Sequence, residues 1–434
     1  MAVRPEIRKK DRDTIIQALR AGVVPRIGLH LIQVGRKLEV QALLSDIERI
    51  SEGGSTIRFI IGEYGSGKTF FLNLIRTIAM EKGLVTASAD LNPSRRLHST
   101  SGQAKSLYME LVRNLSTRTK PDGGALVGIV EKFISNTKKE AKRGSVSVEE
   151  LIQQKLHELT ELVCGFDFAH VITQYYQGFE TGNDEMKNNA FKWLRGEFST
   201  KTDARAALGV RNIIDDSTYY DQLKLLAKFV RIAGYSGLLV CMDEMVNIYK
   251  LANTVGRSSN YEQLLRILND CLQGNTEGIG FVFGGTPEFY LDTRRGMFSY
   301  DALRSRLAQN TFSSDKYKDL SGPVIQLESL TPEDLFVLLS NINYVYVGGK
   351  KENEIVPDEA LDVFMQYCSN RLGNNYFRTP RTTITAFINM LAILEQNEDA
   401  RWQELIGTIK IEPDVRGVEE SSGLIEDELV SFKL

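Results

Sequence analysis

Four segments have the length and pattern of strands, Ile57–Ile61, Leu84–Ala89, Gly237–Met242 and Gly280–Gly284, and the last two are runs of the kind buried on both faces. Around them the apolar period lengthens to that of a helix. Asp13–Ala21 sets Ile15, Ile16 and Leu19 on one face, and about Gly35–Ile50 repeats the pattern with Val40, Leu43, Leu44 and Ile47 before Ser51-Glu52-Gly53-Gly54 stops it. A further helix is expected between the first two strands, to about Lys82. From about Asn92 to Ile232 the period is almost wholly helical, with a soft break at Lys120–Gly124. After about Gln326 it is helical again: Thr331-Pro332-Glu333-Asp334 is a helix start, and a helix from about Thr382 to Glu395 follows Thr379-Pro380-Arg381.

This alternation predicts an α/β fold, a parallel sheet flanked by helices, with a long helical insertion and a C-terminal helical lid domain. The expected parts are an N-terminal helical segment (1–54), a core in two pieces (55–91 and 233–324), the insertion (92–232), the lid (325–396) and an acidic tail (397–434). An insertion of that length between strands of one sheet is expected to form its own lobe. At 434 residues and a net charge of −3 the chain has ample length for a core and no global attraction to nucleic acid or anionic lipid. Cys164, Cys241, Cys271 and Cys368 are scattered singly, a pattern of buried thiols rather than of zinc or disulfides. The first ten residues lack a signal-peptide core, and no apolar run approaches the roughly 20 residues of a spanning helix, so a cytoplasmic protein without membrane contact is expected.

The chemistry begins directly after the first strand. Gly62-Glu63-Tyr64-Gly65-Ser66-Gly67-Lys68-Thr69 fits G-x-x-x-x-G-K-[ST] and leads into the apolar Phe70-Phe71-Leu72. A nucleoside triphosphate presents several negative charges, which backbone N–H groups can satisfy at a helix N-terminus when no Cβ obstructs them. Gly62, Gly65 and Gly67 permit that approach. Lys68 would reach the outer phosphates, and the Thr69 hydroxyl would ligate Mg²⁺.

The third apolar run ends in Asp243-Glu244, which supplies a carboxylate for the metal side (Asp243) and a base that orients the attacking water (Glu244). Thr286, just past the fourth run, could bond the γ-phosphate or serve as a turn residue before Pro287. Arg304 and Arg306 are candidates for charge stabilisation given in trans, worth a factor of about 10³ to 10⁵ in rate, with Arg306 preferred. Arg381, with Arg378 as competitor, could reach the phosphates from the lid. The run Lys138–Arg143 is basic but contains Glu140, and reads as a solvated helix face before a nucleic-acid contact.

Loop, Asp-Glu strand end, polar residue after the next strand, arginine and helical lid come in the order of AAA+ ATPases, which the chain resembles. The resemblance makes these elements Walker A, Walker B, sensor one, arginine finger and sensor two, and makes Gly35-Arg36-Lys37-Leu38-Glu39 the segment bordering the adenine. A closer similarity, carried by Ala18–Pro25, Val34-Gly35-Arg36, Gly62–Phe70, Ala89-Asp90-Leu91 and Leu107–Val112, is to the BREX-type ATP-binding proteins of anti-phage defence loci, by size the BrxD-like members. It implies an ATPase using ATP and Mg²⁺ and acting with other defence subunits on phage DNA, directly or through them; the finger assignment implies self-association around a shared ATP site. Two departures from the initiator-type AAA+ pattern stand out: the helical insert is very long, and too little patterned chain follows the lid for a full winged-helix DNA reader. A nucleotide-gated switch with negligible turnover and an initiator-like DNA loader are the alternatives.

Overall fold

The computed structural model describes residues 6–144, 146–312, 318–372 and 380–408. Its centre is a five-stranded sheet with every pair parallel: β1 (Ser55–Gly62), β2 (Val85–Asp90), β3 (Leu238–Asp243), β4 (Ile279–Gly285) and β5 (Val324–Leu327), in the order β2-β3-β4-β1-β5. The chain is thus α/β, a parallel sheet flanked by helices. The four predicted strands are present, and β5 is an addition: it is four residues long and alternates buried with less buried positions, so it has no apolar run to betray it.

Side chains alternate across the pleat and feed two cores. Ile60, Leu239, Cys241, Val282 and Ile325 pack with Leu43, Ile47 and Ile50 of the helix Lys37–Ser51 and with Phe71, Leu72 and Ile75 of the helix Lys68–Glu81. On the opposite face Phe59, Val85, Val240, Phe281 and Phe283 open a much larger cluster. It continues through Tyr108 and Leu111 (helix Gln103–Arg113), Phe133 (Leu126–Ala141), Phe168 (Gly165–Thr181), Trp193 (Asp184–Leu194) and Phe229 (Tyr219–Ile232). The apolar faces of the helical stretch thus extend, among the described residues, the core that covers the sheet.

By its contacts the chain divides into two compact units: Arg36–Gly62 with Lys68–Leu327, and Met1–Gly35 with Glu63–Gly67 and Glu328–Leu434. The first holds the sheet and its helices. In the second, the N-terminal helix Lys9–Arg20 packs on Pro332–Tyr346 and Pro380–Gln396, so chain ends distant in sequence build one helical body. The helix start read at Thr331 is a reciprocal capping box: Thr331 Oγ1 accepts the Asp334 N–H at 3.1 Å, and the Asp334 carboxylate accepts the Thr331 N–H at 3.3 Å. The stretch beyond Ile411 lies outside the described residues.

Trp193 tests the shared core. It is 1% exposed, meets Phe168 edge-on and donates its indole N–H to the Asn212 carbonyl at 2.9 Å. Trp193→Ala is expected to cost about 3–5 kcal/mol. Because the cluster is continuous with the sheet, chemical denaturation followed by far-UV circular dichroism should show the whole transition of that unit moving to lower denaturant, with no early phase confined to the helices.

Candidate nucleotide-binding site

β1 ends at Gly62, the helix Lys68–Glu81 starts six residues later, and the turn between them is built from backbone. Gly65 (φ 82°) and Gly67 (φ 85°) lie in the left-handed region that favours glycine, and the Ser66 N–H closes on the Glu63 carbonyl at 3.1 Å. The first N–H groups of the helix have no intrahelical acceptor, so the turn opens onto donors suited to an anion. Lys68 Nζ donates to the Gly62 carbonyl at 2.8 Å, its ammonium folded back on the strand end. Tyr64 is exposed and Phe70 half-buried at the rim of this turn.

One residue on, Thr69 Oγ1 donates to Asp243 Oδ2 at 2.8 Å. This bond crosses β4, which lies between β1 and β3. It is open because β4 carries glycine there: a Cβ on Gly284 would stand 2.3 Å from Asp243 Oδ1. That second carboxylate oxygen accepts the Glu244 N–H at 2.9 Å. Glu244 itself is exposed, with φ 59°, a left-handed conformation that costs a residue with a Cβ about 1–2 kcal/mol. On the neighbouring strand Asp90 pairs in register with Asp243. Burial first, and then the Asp243 carboxylate, push the Asp90 carboxyl above its usual range, against the pull of Arg95 and Arg76. Like charges so close favour a cation at this strand end.

The other candidate residues are spread more widely. Thr286 is the N-cap of the helix Pro287–Leu291, its hydroxyl accepting the Phe289 N–H at a long 3.5 Å; a hydroxyl that accepts still carries a hydrogen to donate. Arg304 and Arg306 are exposed on the helix Asp301–Leu307, with Arg306 donating to the Ala302 carbonyl at 2.9 Å. Arg36 (φ 59°) is the N-cap of the helix Lys37–Ser51. Arg381 belongs to the other unit, where it is exposed on Pro380–Gln396 with its side chain against Gly22, 3.1 Å from where a Cβ would be. Arg378 lies outside the described residues.

A family model described as BREX system ATP-binding protein BrxC/D matches residues 7–410. The chain belongs to this family of BREX ATP-binding proteins. No curated protein matches it by sequence. ATP is accordingly the ligand that the family's description names. No helix among the described residues is long and apolar enough to cross a membrane. The basic run of this BREX protein is partly neutralised: Lys138 pairs with Glu180 and sits over the Phe179 ring, and Glu140 pairs with Lys155 at 2.8 Å.

Sequence reasoning gives no role to Asp90, Asn247 or Gly284, all of which contact this strand end. Only the glycine pair in Phe283-Gly284-Gly285 offered a signal, a place in a buried strand where another group must approach.

Asp90 yields a pH prediction. Its folded-state pKa is raised, so the folded chain binds this proton more tightly than the unfolded chain; the resulting stability is present in acid and lost as pH rises through the folded pKa. Asp90→Asn is permanently neutral. Without nucleotide or metal it is expected to melt higher than wild type at neutral pH, and the gap should shrink as pH falls through the raised folded pKa and be closed by about pH 4, near the unfolded value. Thermal melts across pH check this, and a variant less stable at pH 7 would contradict it.

Proposed function

We propose that this chain is an ATP hydrolase whose nucleotide cycle drives assembly or remodelling of a multi-subunit BREX complex acting on DNA. The observation that carries this reading is the Thr69–Asp243 hydrogen bond with Glu244 next in the chain, because it brings a hard-metal oxygen pair and a carboxylate base to one strand end.

The oxygens of Thr69 and Asp243, 2.8 Å apart, fit a magnesium-bound triphosphate, since Mg²⁺ takes one or two protein oxygens and leaves its other positions to phosphate and water. Bound magnesium supplies charge neutralisation on the phosphates. The protein's own part is positional. Lys68 would exchange the Gly62 carbonyl for the outer phosphates. Glu244, exposed at its strand end, would accept a proton from water as the water oxygen bonds the γ-phosphorus and the bond to the β–γ bridging oxygen breaks, giving ADP and phosphate. Thr286 would donate to the γ-phosphate or to that water. Arg306, or Arg304 beside it, stands exposed on its helix, as a group offered to a neighbouring subunit's site must.

Glu244→Gln is expected to lower turnover on the order of 10²–10⁴-fold with ATP affinity nearly unchanged, while Lys68→Ala loses affinity itself. Phosphate release and equilibrium ATP binding on the purified full chain measure both. A wild type that binds ATP and releases no phosphate would instead be the nucleotide-gated switch.

Mixing inactive Lys68→Ala subunits with inactive Arg306→Ala subunits is expected to restore part of the activity. In a mixed assembly an intact loop then faces an intact arginine. Turnover no greater than the sum of the separate variants would reject the arginine given in trans.

A further inference from the structure

The left-handed turn at Glu244 is held from outside, and one side chain does most of the holding. The Glu244 carbonyl accepts the Asn247 N–H at 3.0 Å and the Asn247 side-chain Nδ2 at 3.1 Å. The same Nδ2 donates to the Leu91 carbonyl at 2.9 Å. Leu91 in turn donates its N–H to the Asp243 carbonyl at 3.0 Å, and the Met245 N–H reaches the Gly284 carbonyl at 3.0 Å. An amide nitrogen has two hydrogens, and here each faces a carbonyl oxygen, so the chemistry of asparagine matches the site atom for atom. An isosteric aspartate would offer acceptors to acceptors.

Nothing else about Asn247 requires this residue type. It is half-buried on the four-residue helix Val246–Tyr249, and its partner Leu91 opens the turn after β2, where Arg95 pairs with Glu110 of the helix Gln103–Arg113 at 3.1 Å. We propose that Asn247 is a positioning residue for Glu244: by clamping the exits of β2 and β3 it fixes the carbonyl of the strained turn and thereby the direction in which the carboxylate leaves the backbone. This rests on the hydrolase reading of Glu244.

The test uses the full chain with Asn247→Asp, which keeps the shape and removes the donors, and Asn247→Ala as a second variant should the aspartate fail to fold. Turnover is expected to fall by about 10- to 100-fold with KM and ATP affinity within about twofold of wild type, because a small misalignment of the base is felt in the chemical step and not in binding. In the Glu244→Gln background, read by single-turnover phosphate release, Asn247→Ala should cost less than about twofold, since the group it aims is already gone. Wild-type turnover that survives within twofold in either Asn247 variant overturns the assignment alone, as does an undiminished loss in the Glu244→Gln background. A wild type that binds ATP without cleaving it overturns the hydrolase reading and this assignment together.

Discussion

A single hydrogen bond, from the Thr69 hydroxyl to the Asp243 carboxylate, determines how the rest of the sheet unit must be arranged. Asp243 ends β3 and Thr69 follows β1, strands that are not neighbours but are separated by β4 and therefore by about 10 Å across the sheet. Thr69 closes that distance from the first turn of the helix after β1, and this helix must lie tightly on the sheet for the bond to form. Phe71, Leu72 and Ile75 secure it there against Ile60, Cys241 and Val282. The bond also demands an empty place on β4, which Gly284 provides at a level where a methyl group would stand 2.3 Å from the carboxylate. Packing, strand order and one missing side chain are thus fixed by one polar contact.

The local parts of this arrangement were legible in the sequence, and the pairings were not. Gly62–Thr69 is readable because phosphate binding by backbone needs glycines, lysine and a hydroxyl at set spacings within one turn. Strands β3 and β4 are readable because parallel strands buried on both faces become near-continuous apolar runs, and β1 and β2 because their shorter apolar stretches flank the Gly62–Thr69 turn and its helix. β5, with exposed Gln326 among four residues, leaves no such trace. The position of β4 between β1 and β3 follows from pairings between segments far apart in the chain, Ser55 with Ile279 and Leu238 with Ile279, on which periodicity is silent. For the same reason the period of residues 92–232 predicts helices without saying that their buried faces join the cluster on the sheet. Period tells which face of a helix is buried, not what buries it. Asn247 was invisible on both counts, as one polar residue whose deciding partner lies 156 positions away.

Backbone strain is concentrated at a few positions. Most positive-φ positions among the described residues are glycines, which adopt that region at little cost, and the exceptions are Arg36, Cys164 and Glu244. A glycine or asparagine at 244 would make the turn after β3 easier to form. The carboxylate is carried there despite roughly 1–2 kcal/mol of backbone cost, and the surrounding hydrogen bonds from Asn247, to Asp243 and to Gly284 supply the over-determination such a conformation needs. Strain maintained by its surroundings at this strand end is more informative than the Asp-Glu spelling alone.

The like-charge crowding at the same strand end bears on this from another side. Asp90 and Asp243 stand level on adjacent strands, and the Asp90 carboxyl is already pushed up by its burial and by its neighbour. An arrangement that disfavours its own ionisation costs stability in the free protein and becomes favourable once a cation arrives. The hydrophobic clusters on both faces of the sheet hold these carboxylates in register regardless of their repulsion, so the site is shaped before any ligand is present.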